Sequence, residues 1–153
     1  MSRPKSFREL IAWQKAMALA RQVYLLTANM PGREVYGLVS QIRRAAVAIP
    51  SNIAEGYGRL TDTQFRHFLG NARGSLCELQ TQLELAADLG YMSREAEHQL
   101  TEQGTEVARL INGFLASLKH ANPATRTNPA STANPASPAN TANPANTAKS
   151  HVP

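Results

Sequence analysis

The hydrophobic pattern of the chain is clearest between residues 38 and 56, in a stretch that combines an apolar face and a polar face. Apolar residues recur there at steps of three and four, which places them on one side of a helix: Leu38, Ile42, Ala45, Ile49 and Ile53. Polar residues between them form a second face: Gln41, Arg44, Ser51, Asn52 and Glu55. We expect such a helix to be held by tertiary or quaternary contacts.

A proline at position 50 lies inside this pattern. Proline removes a backbone donor and presses on the carbonyl four residues earlier, which costs ~3 kcal/mol in a regular helix interior. The helix could stop at Ile49 and restart with Pro50 in its first turn, or it could be kinked and continuous. The apolar series crosses Pro50 without a change of phase, which favours a kinked, continuous helix from about Arg33 to Tyr57.

Three further helices follow from the same periodicity and from capping signals. A Ser or Thr followed three residues later by Glu or Gln forms a capping box, and glycine commonly ends a helix. These signals predict helix starts at Ser6-Phe-Arg-Glu9, Thr61-Asp-Thr-Gln64 and Ser93, and helix ends near Asn29, Gly90 and His120. Four helices joined by short turns predict an all-α protein, an up-down-up-down four-helix bundle with a kinked second helix.

The stripes of these helices also predict which residues fill the core. Trp13 and Tyr24 are expected to pack there, and Cys77 is expected to be a small core residue because it lies among leucines. Gly70 and Gly74 lie one turn apart in the third helix, where each weakens the helix by ~1 kcal/mol relative to alanine. We expect another backbone to approach the helix closely at these two glycines.

Residues 121–153 have a different composition from the rest of the chain. The tripeptide Asn-Pro-Ala begins at positions 122, 128, 134 and 143, and the segment has no aromatic residue. It cannot bury enough apolar surface to offset the cost of ordering. The predicted domains are therefore a bundle at 1–120 and a disordered tail at 121–153, which is either a repeat expansion without function or a linker or partner-binding segment.

The net charge of +5 is unevenly distributed. Residues 1–75 carry 11 Lys/Arg and 4 Asp/Glu, whereas residues 76–120 carry 3 and 7. A basic first half and an acidic last helix can reflect attraction to nucleic acid, attraction between subunits, or two solvated faces of opposite sign.

No motif for catalysis, metal binding or membrane insertion is recognisable. A single cysteine excludes a disulfide framework and a zinc cluster, and the N-terminus lacks the apolar core of a signal peptide. Glu55, Asp62 and His67 are the only nearby acid–base set, but their spacing does not place them on one helix face. The sequence predicts a non-enzymatic cytoplasmic protein without a cofactor, a bound metal or a membrane span.

Several segments resemble one family along residues 7 to about 118, in the same order throughout. The chain is similar to the small four-helix bundle proteins encoded in the intervening sequences of 23S ribosomal RNA genes, whose relatives include the accessory variability proteins of diversity-generating retroelements. It departs from the family at Ala48, where serine is usual, and at Gln80, where an acidic residue is usual. The segments that carry the resemblance are Trp13-Gln-Lys-Ala16, Glu34-Val-Tyr-Gly-Leu38, Gln41-Ile-Arg-Arg-Ala-Ala46, Pro50-Ser-Asn-Ile-Ala-Glu-Gly56, Gly74-Ser-Leu-Cys-Glu-Leu-Gln80 and Leu89-Gly-Tyr91.

The resemblance implies a ring-shaped homopentamer with a basic surface and a presumed activity of nucleic-acid binding, and it brings no catalytic residues. The candidate interface residues between subunits are Gln41, Arg44, Asn52 and Glu55. Glu55 could alternatively pair with Arg59 in the same chain. The candidate nucleic-acid-binding residues are Lys15, Arg21, Arg43, Arg44, Arg59, Arg66 and Arg73.

Two hypotheses therefore remain for the function. In the first, the protein binds RNA or DNA through backbone charge with little sequence specificity, RNA being favoured, because no base-reading motif is present. In the second, it is a scaffold that holds another protein, such as a reverse transcriptase, without contacting nucleic acid.

Overall fold

A computed structural model of the chain describes residues 4–120, apart from the side chains of Lys119 and His120. The described residues form four helices: α1 (Ile11–Thr27), α2 (Leu38–Tyr57), α3 (Asp62–Asp88) and α4 (Arg94–His120). Short 3₁₀ turns at Phe7–Glu9 and Gly32–Glu34 precede α1 and α2. The predicted all-α, four-helix architecture is confirmed. The predicted disordered tail at 121–153 lies outside the described residues.

The four helices close around one apolar core. Each helix packs against two others, in the order α1–α2, α2–α3, α3–α4 and α4–α1, and the diagonal pairs are not in contact within the described residues. The α1/α2 side of the bundle is therefore opposite the α3/α4 side. Large side chains that are fully buried include Leu19, Ile42, Ile49, Leu69, Leu83 and Ile111.

The second helix continues through Pro50, as the phase of its apolar series predicted. Ile42, Ile49 and Ile53 are each 0% exposed, on both sides of the proline. A helix that continues through Pro50 buries all three side chains. Burial of each contributes roughly 1.5–3 kcal/mol to the stability of the fold. That gain exceeds the ~3 kcal/mol that proline costs in a helix interior.

Two helix starts differ from the prediction. The Ser6 hydroxyl accepts a hydrogen bond from the backbone N–H of Arg8, but it caps only the 3₁₀ turn. Leu10 then adopts an extended conformation and is 3% exposed, so α1 begins one residue later. The chain departs from the helical path here because doing so buries the Leu10 side chain in the core.

The second helix begins at Leu38 instead of near Arg33. Residues 32–34 form a 3₁₀ turn, and the Glu34 carboxylate accepts a hydrogen bond from the backbone N–H of Leu38 at 3.3 Å. This bond satisfies one of the backbone donors that a helix start leaves open. Glu34 therefore caps the helix from outside it.

The other predicted caps are confirmed. The Thr61 hydroxyl accepts from the backbone N–H of Gln64 at 3.2 Å, and the Ser93 hydroxyl accepts from that of Ala96 at 3.1 Å. Gly90 has a φ angle of 72°, the left-handed conformation that favours glycine at a helix end.

The expected close approach at Gly70 and Gly74 is wrong. A Cβ atom placed on either glycine would meet no other atom of the described chain within 4 Å. The close approach occurs instead at Gly56, which is buried where α2 meets α3. A Cβ atom there would lie 2.6 Å from Cβ of Phe68 and 2.9 Å from Cδ2 of Phe65.

Two expectations about the core are wrong, and the third, that Trp13 packs there, is confirmed in part. Cys77 is exposed, because it lies next to the buried Leu76 and therefore ~100° around the helix from it. Tyr24 is 46% exposed, and Trp13 is only partly buried, packing edge-to-face on Phe7 at 5.2 Å between ring centroids.

Within residues 4–120, no helix is long and apolar enough to cross a membrane.

Candidate functional site

The candidate basic residues do not form one continuous surface. Because α1/α2 and α3/α4 are opposite sides of the bundle, the arginines of α2 and those of α3 face different directions. The contacts of each side chain show which positive charges are already engaged within the chain and which are open to a ligand.

Arg43 ties α2 to the end of α1. Its Nε donates a hydrogen bond to the Thr27 hydroxyl at 2.9 Å, and its Nη2 donates to the Tyr24 carbonyl at 3.4 Å. The guanidinium carbon lies 4.6 Å from the centroid of the Tyr24 ring. Thr27, 2% exposed, in turn donates to the Val23 carbonyl. Arg43 is therefore fixed in place by the fold.

Two other candidates have carboxylate partners. Lys15 of α1 forms an ion pair with Glu106 of α4 at 3.2 Å. Arg59 forms an ion pair with Glu55 one turn earlier, and its guanidinium carbon lies 4.8 Å from the centroid of the Phe68 ring. These pairs neutralise charge locally, so Lys15 and Arg59 add little to the attraction of a polyanion.

The arginines of α3 have no carboxylate partner within residues 4–120; Arg66 is partly buried and Arg73 is exposed. Arg66 has no hydrogen bond or ion pair within residues 4–120, and Nη1 of Arg73 donates only to the neutral Asn112 side chain, at 3.3 Å. Seven residues separate them, or ~10.5 Å along one face of the helix. Gly70 lies between them without a side chain. We call Arg66, Gly70 and Arg73 the α3 arginine stripe.

The α1/α2 side carries a groove that the sequence analysis missed. It has a volume of about 630 Å³, and Arg21 is the one charged residue that lines it. We call this the α1/α2 groove; its apolar lining includes Trp13, Met17, Tyr24, Leu25, Val47 and Pro50. Leu25 is 64% exposed and Val47 is 42% exposed. Both were visible in the sequence as apolar residues outside the core-facing stripes.

The predicted interface residues of α2 divide into two pairs. Gln41 and Arg44 are exposed, with no side-chain hydrogen bond or ion pair in the described part of the chain. The Asn52 side chain donates to the Ala48 carbonyl at 2.8 Å, and Glu55 pairs with Arg59. Asn52 and Glu55 therefore have partners within the same chain.

Two members of the acid–base set considered for an enzyme have neighbours in the fold. Glu55 is engaged by Arg59, and the exposed His67 ring lies 3.5 Å from the Asn71 side chain. Among residues 4–120, no cluster of three or more His, Cys, Asp or Glu side chains could hold a metal ion.

The fold and its surfaces define the chain as an antiparallel four-helix bundle with an open apolar groove and an arginine stripe on opposite sides. A family model described as 23S rRNA-intervening sequence protein matches residues 8–113. The chain belongs to that family. No curated protein matches it.

Solved structures show the same fold. Five chains match, and one is the crystal structure of a protein of unknown function from the S23 ribosomal protein family of Bacteroides thetaiotaomicron. It is 22% identical, the match covers 69% of this chain and 98% of that chain, and the TM-score is 0.62. At this identity the likeness concerns the fold.

Proposed function

We propose that this protein is a non-enzymatic subunit of a homo-oligomer, by resemblance a pentamer, that binds RNA or DNA with little sequence specificity. The observation that carries the proposal is the α3 arginine stripe, whose two positive charges have no carboxylate partner in the described chain. The family description refers to intervening sequences of 23S rRNA, which makes RNA the first ligand to test.

The geometry of the stripe suits a phosphate backbone. The ~10.5 Å between Arg66 and Arg73 equals about three base-pair steps along the axis of B-form DNA, at 3.4 Å of axis per phosphate of one strand. Because no side chain stands between them at Gly70, a strand could approach the helix along the whole stripe. Contacts of this kind fix position but carry no sequence information.

The α1/α2 groove supports assembly. It presents large apolar side chains to solvent with one arginine at its lining, and contiguous exposed apolar surface commonly marks a protein contact. On this proposal, the groove contacts a neighbouring subunit around Trp13, Met17 and Leu25, which leaves the α3/α4 side and the surface around Arg44 open to nucleic acid.

Binding through phosphate contacts predicts a steep dependence on salt. Five subunits would offer about ten stripe arginines. A protein that makes six to ten phosphate contacts loses ~10³–10⁵-fold in affinity for the nucleic acid between ~50 and ~200 mM salt. The measurement is fluorescence anisotropy of labelled RNA and DNA titrated with the protein at several salt concentrations. Absence of binding to either nucleic acid at ~50 mM salt would refute the proposal, because phosphate contacts are strongest there.

Polar substitution in the groove is expected to dissociate the oligomer. Leu25→Gln with Val47→Gln removes exposed apolar contact area without touching the core, so the bundle stays folded while the subunits separate. Native mass spectrometry gives the subunit number. Leu60→Gln with Leu85→Gln, at positions 88% and 47% exposed elsewhere on the bundle, is the matched control. An unchanged oligomer in the first variant would exclude the groove as the contact.

The scaffold hypothesis is the second candidate, because the same groove could take an apolar helix of another protein. Kinship with the accessory variability proteins of diversity-generating retroelements would make a reverse transcriptase the partner to test. Capture of such a partner by a variant that has lost nucleic-acid binding would separate the two functions.

A further inference from the structure

A second surface of the bundle combines an exposed aromatic ring with arginine side chains. It is a depression of about 430 Å³ formed by the end of α1, the turn before α2 and the first half of α2. We call it the Tyr36 pocket. Its lining consists of Tyr24, Val35, Tyr36, Ser40, Arg43, Arg44 and Val47. Among the described residues that line it, the charged ones are the two arginines, and none is a carboxylate.

Tyr36 has no structural role that its surroundings reveal. The residue is 97% exposed, and its ring and hydroxyl have no partner within residues 4–120. A tyrosine so open to water adds almost nothing to the core, so both faces of its ring are available to a ligand. Its neighbours Val35 and Tyr24, 47% and 46% exposed, extend the same surface.

The arginines beside the ring differ in what they can do. Arg43 is held by Thr27 and by stacking on Tyr24, so it gives the pocket a rigid wall of fixed positive charge. Arg44 is exposed and has no hydrogen bond or ion pair in the described part of the chain, so it is free to contact a phosphate. An open ring next to a free cation is the pairing that single-stranded nucleic-acid sites use.

We infer that the Tyr36 pocket binds an unpaired nucleotide, with the base stacked on the Tyr36 ring and the adjacent phosphate beside Arg44. The inference rests on the proposed function and deepens it by naming the ligand as single-stranded RNA or DNA. Every base has a π-face, so stacking is tolerant of sequence. A base inside a duplex already stacks on its neighbours, so this pocket discriminates against double strands, whereas the α3 arginine stripe does not.

The test compares binding to a labelled 20-nucleotide single strand and a 20-base-pair duplex. Tyr36→Leu keeps an apolar side chain but removes the aromatic face, and it is expected to weaken single-strand binding by about 5- to 150-fold, the range for one stacked base. Duplex binding stays unchanged. Tyr36→Phe keeps the ring and retains affinity, and Leu60→Ala is a control at another exposed turn position.

Photo-crosslinking locates the contact directly. A single strand containing 5-iodouridine is irradiated on the wild-type protein, and trypsin then releases residues 34–43 as one peptide, since Arg33 and Arg43 are its cleavage sites. The expected result is a nucleotide adduct on this peptide that Tyr36→Leu abolishes.

The outcomes separate this inference from the proposed function. If the wild type binds both forms and Tyr36→Leu binds the single strand equally well, the pocket is not a nucleotide site although the proposed function stands. If the wild type binds neither form, both fail. If Tyr36→Leu changes only the subunit number in native mass spectrometry, Tyr36 is a contact between subunits and the inference is overturned.

Discussion

Reversing both charges of the α3 arginine stripe, with Arg66→Glu and Arg73→Glu, is expected to lower the affinity for RNA and DNA by at least roughly 100-fold at ~50 mM salt. By the counterion-release relation, each phosphate contact raises the affinity roughly tenfold at that salt concentration. Removal of two contacts also lowers the slope of log affinity against log salt, by ~1.4 for a single strand and ~1.8 for B-form DNA per bound subunit. Anisotropy titrations at four salt concentrations give both quantities.

A charge-matched control makes this result specific. Arg94→Glu with Arg109→Glu changes the net charge by the same amount on α4. The change at Arg94 also removes its ion pair with Asp88, which is exposed and therefore contributes little to stability. We expect this variant to bind far more tightly than the stripe variant. Equal loss in both would show that only total charge matters, and the stripe would then not be the site.

Placing a methyl group on Gly56 is expected to destabilise the bundle by up to ~2 kcal/mol, because overpacking a core usually costs about 1–3 kcal/mol and the higher helix propensity of alanine offsets ~1 kcal/mol of that cost. The new Cβ would lie 2.6 Å from Cβ of Phe68, an atom attached directly to the α3 backbone, so α2 and α3 would have to separate. Urea unfolding followed by circular dichroism measures the free energy of unfolding of Gly56→Ala at fixed protein concentration.

Gly74→Ala is the matched control, because a Cβ atom there would meet nothing within 4 Å outside its own stretch of helix in the described part of the chain. The same chemical change is then expected to raise the free energy of unfolding by up to ~1 kcal/mol through helix propensity alone. A Gly56→Ala protein as stable as Gly74→Ala would show that α2 and α3 do not meet closely at Gly56.

The sequence alone located most of the fold. The caps at Thr61 and Ser93 and the stop at Gly90 are local signals between residues a few positions apart, so they could be read without the structure. The continuity of α2 through Pro50 was also predictable, because the phase of the isoleucines around it reports a single helix. The starts of α1 and α2 were wrong because burial of Leu10 and capping by Glu34 outweighed the local helical pattern.

The candidate surfaces were only partly predictable. The arginines could be listed, but a list does not say which of them face a carboxylate. The pair of Glu55 and Arg59 was foreseeable at a spacing of four, whereas that of Lys15 and Glu106 joins α1 to α4, which are far apart in the sequence. The groove was missed because Leu25 and Val47 join one surface only when α1 and α2 are packed together.

The sequence by itself therefore determined the four helices, their apolar stripes and the excess of positive charge in the first half. Those features arise from neighbours three or four residues apart, whose interactions are fixed once a helix forms. Tertiary structure decided which glycine permits close packing, which arginines remain open, and where apolar side chains and Tyr36 meet the solvent. These outcomes depend on how each helix is rotated against its neighbours, and that rotation is set by packing of the whole core.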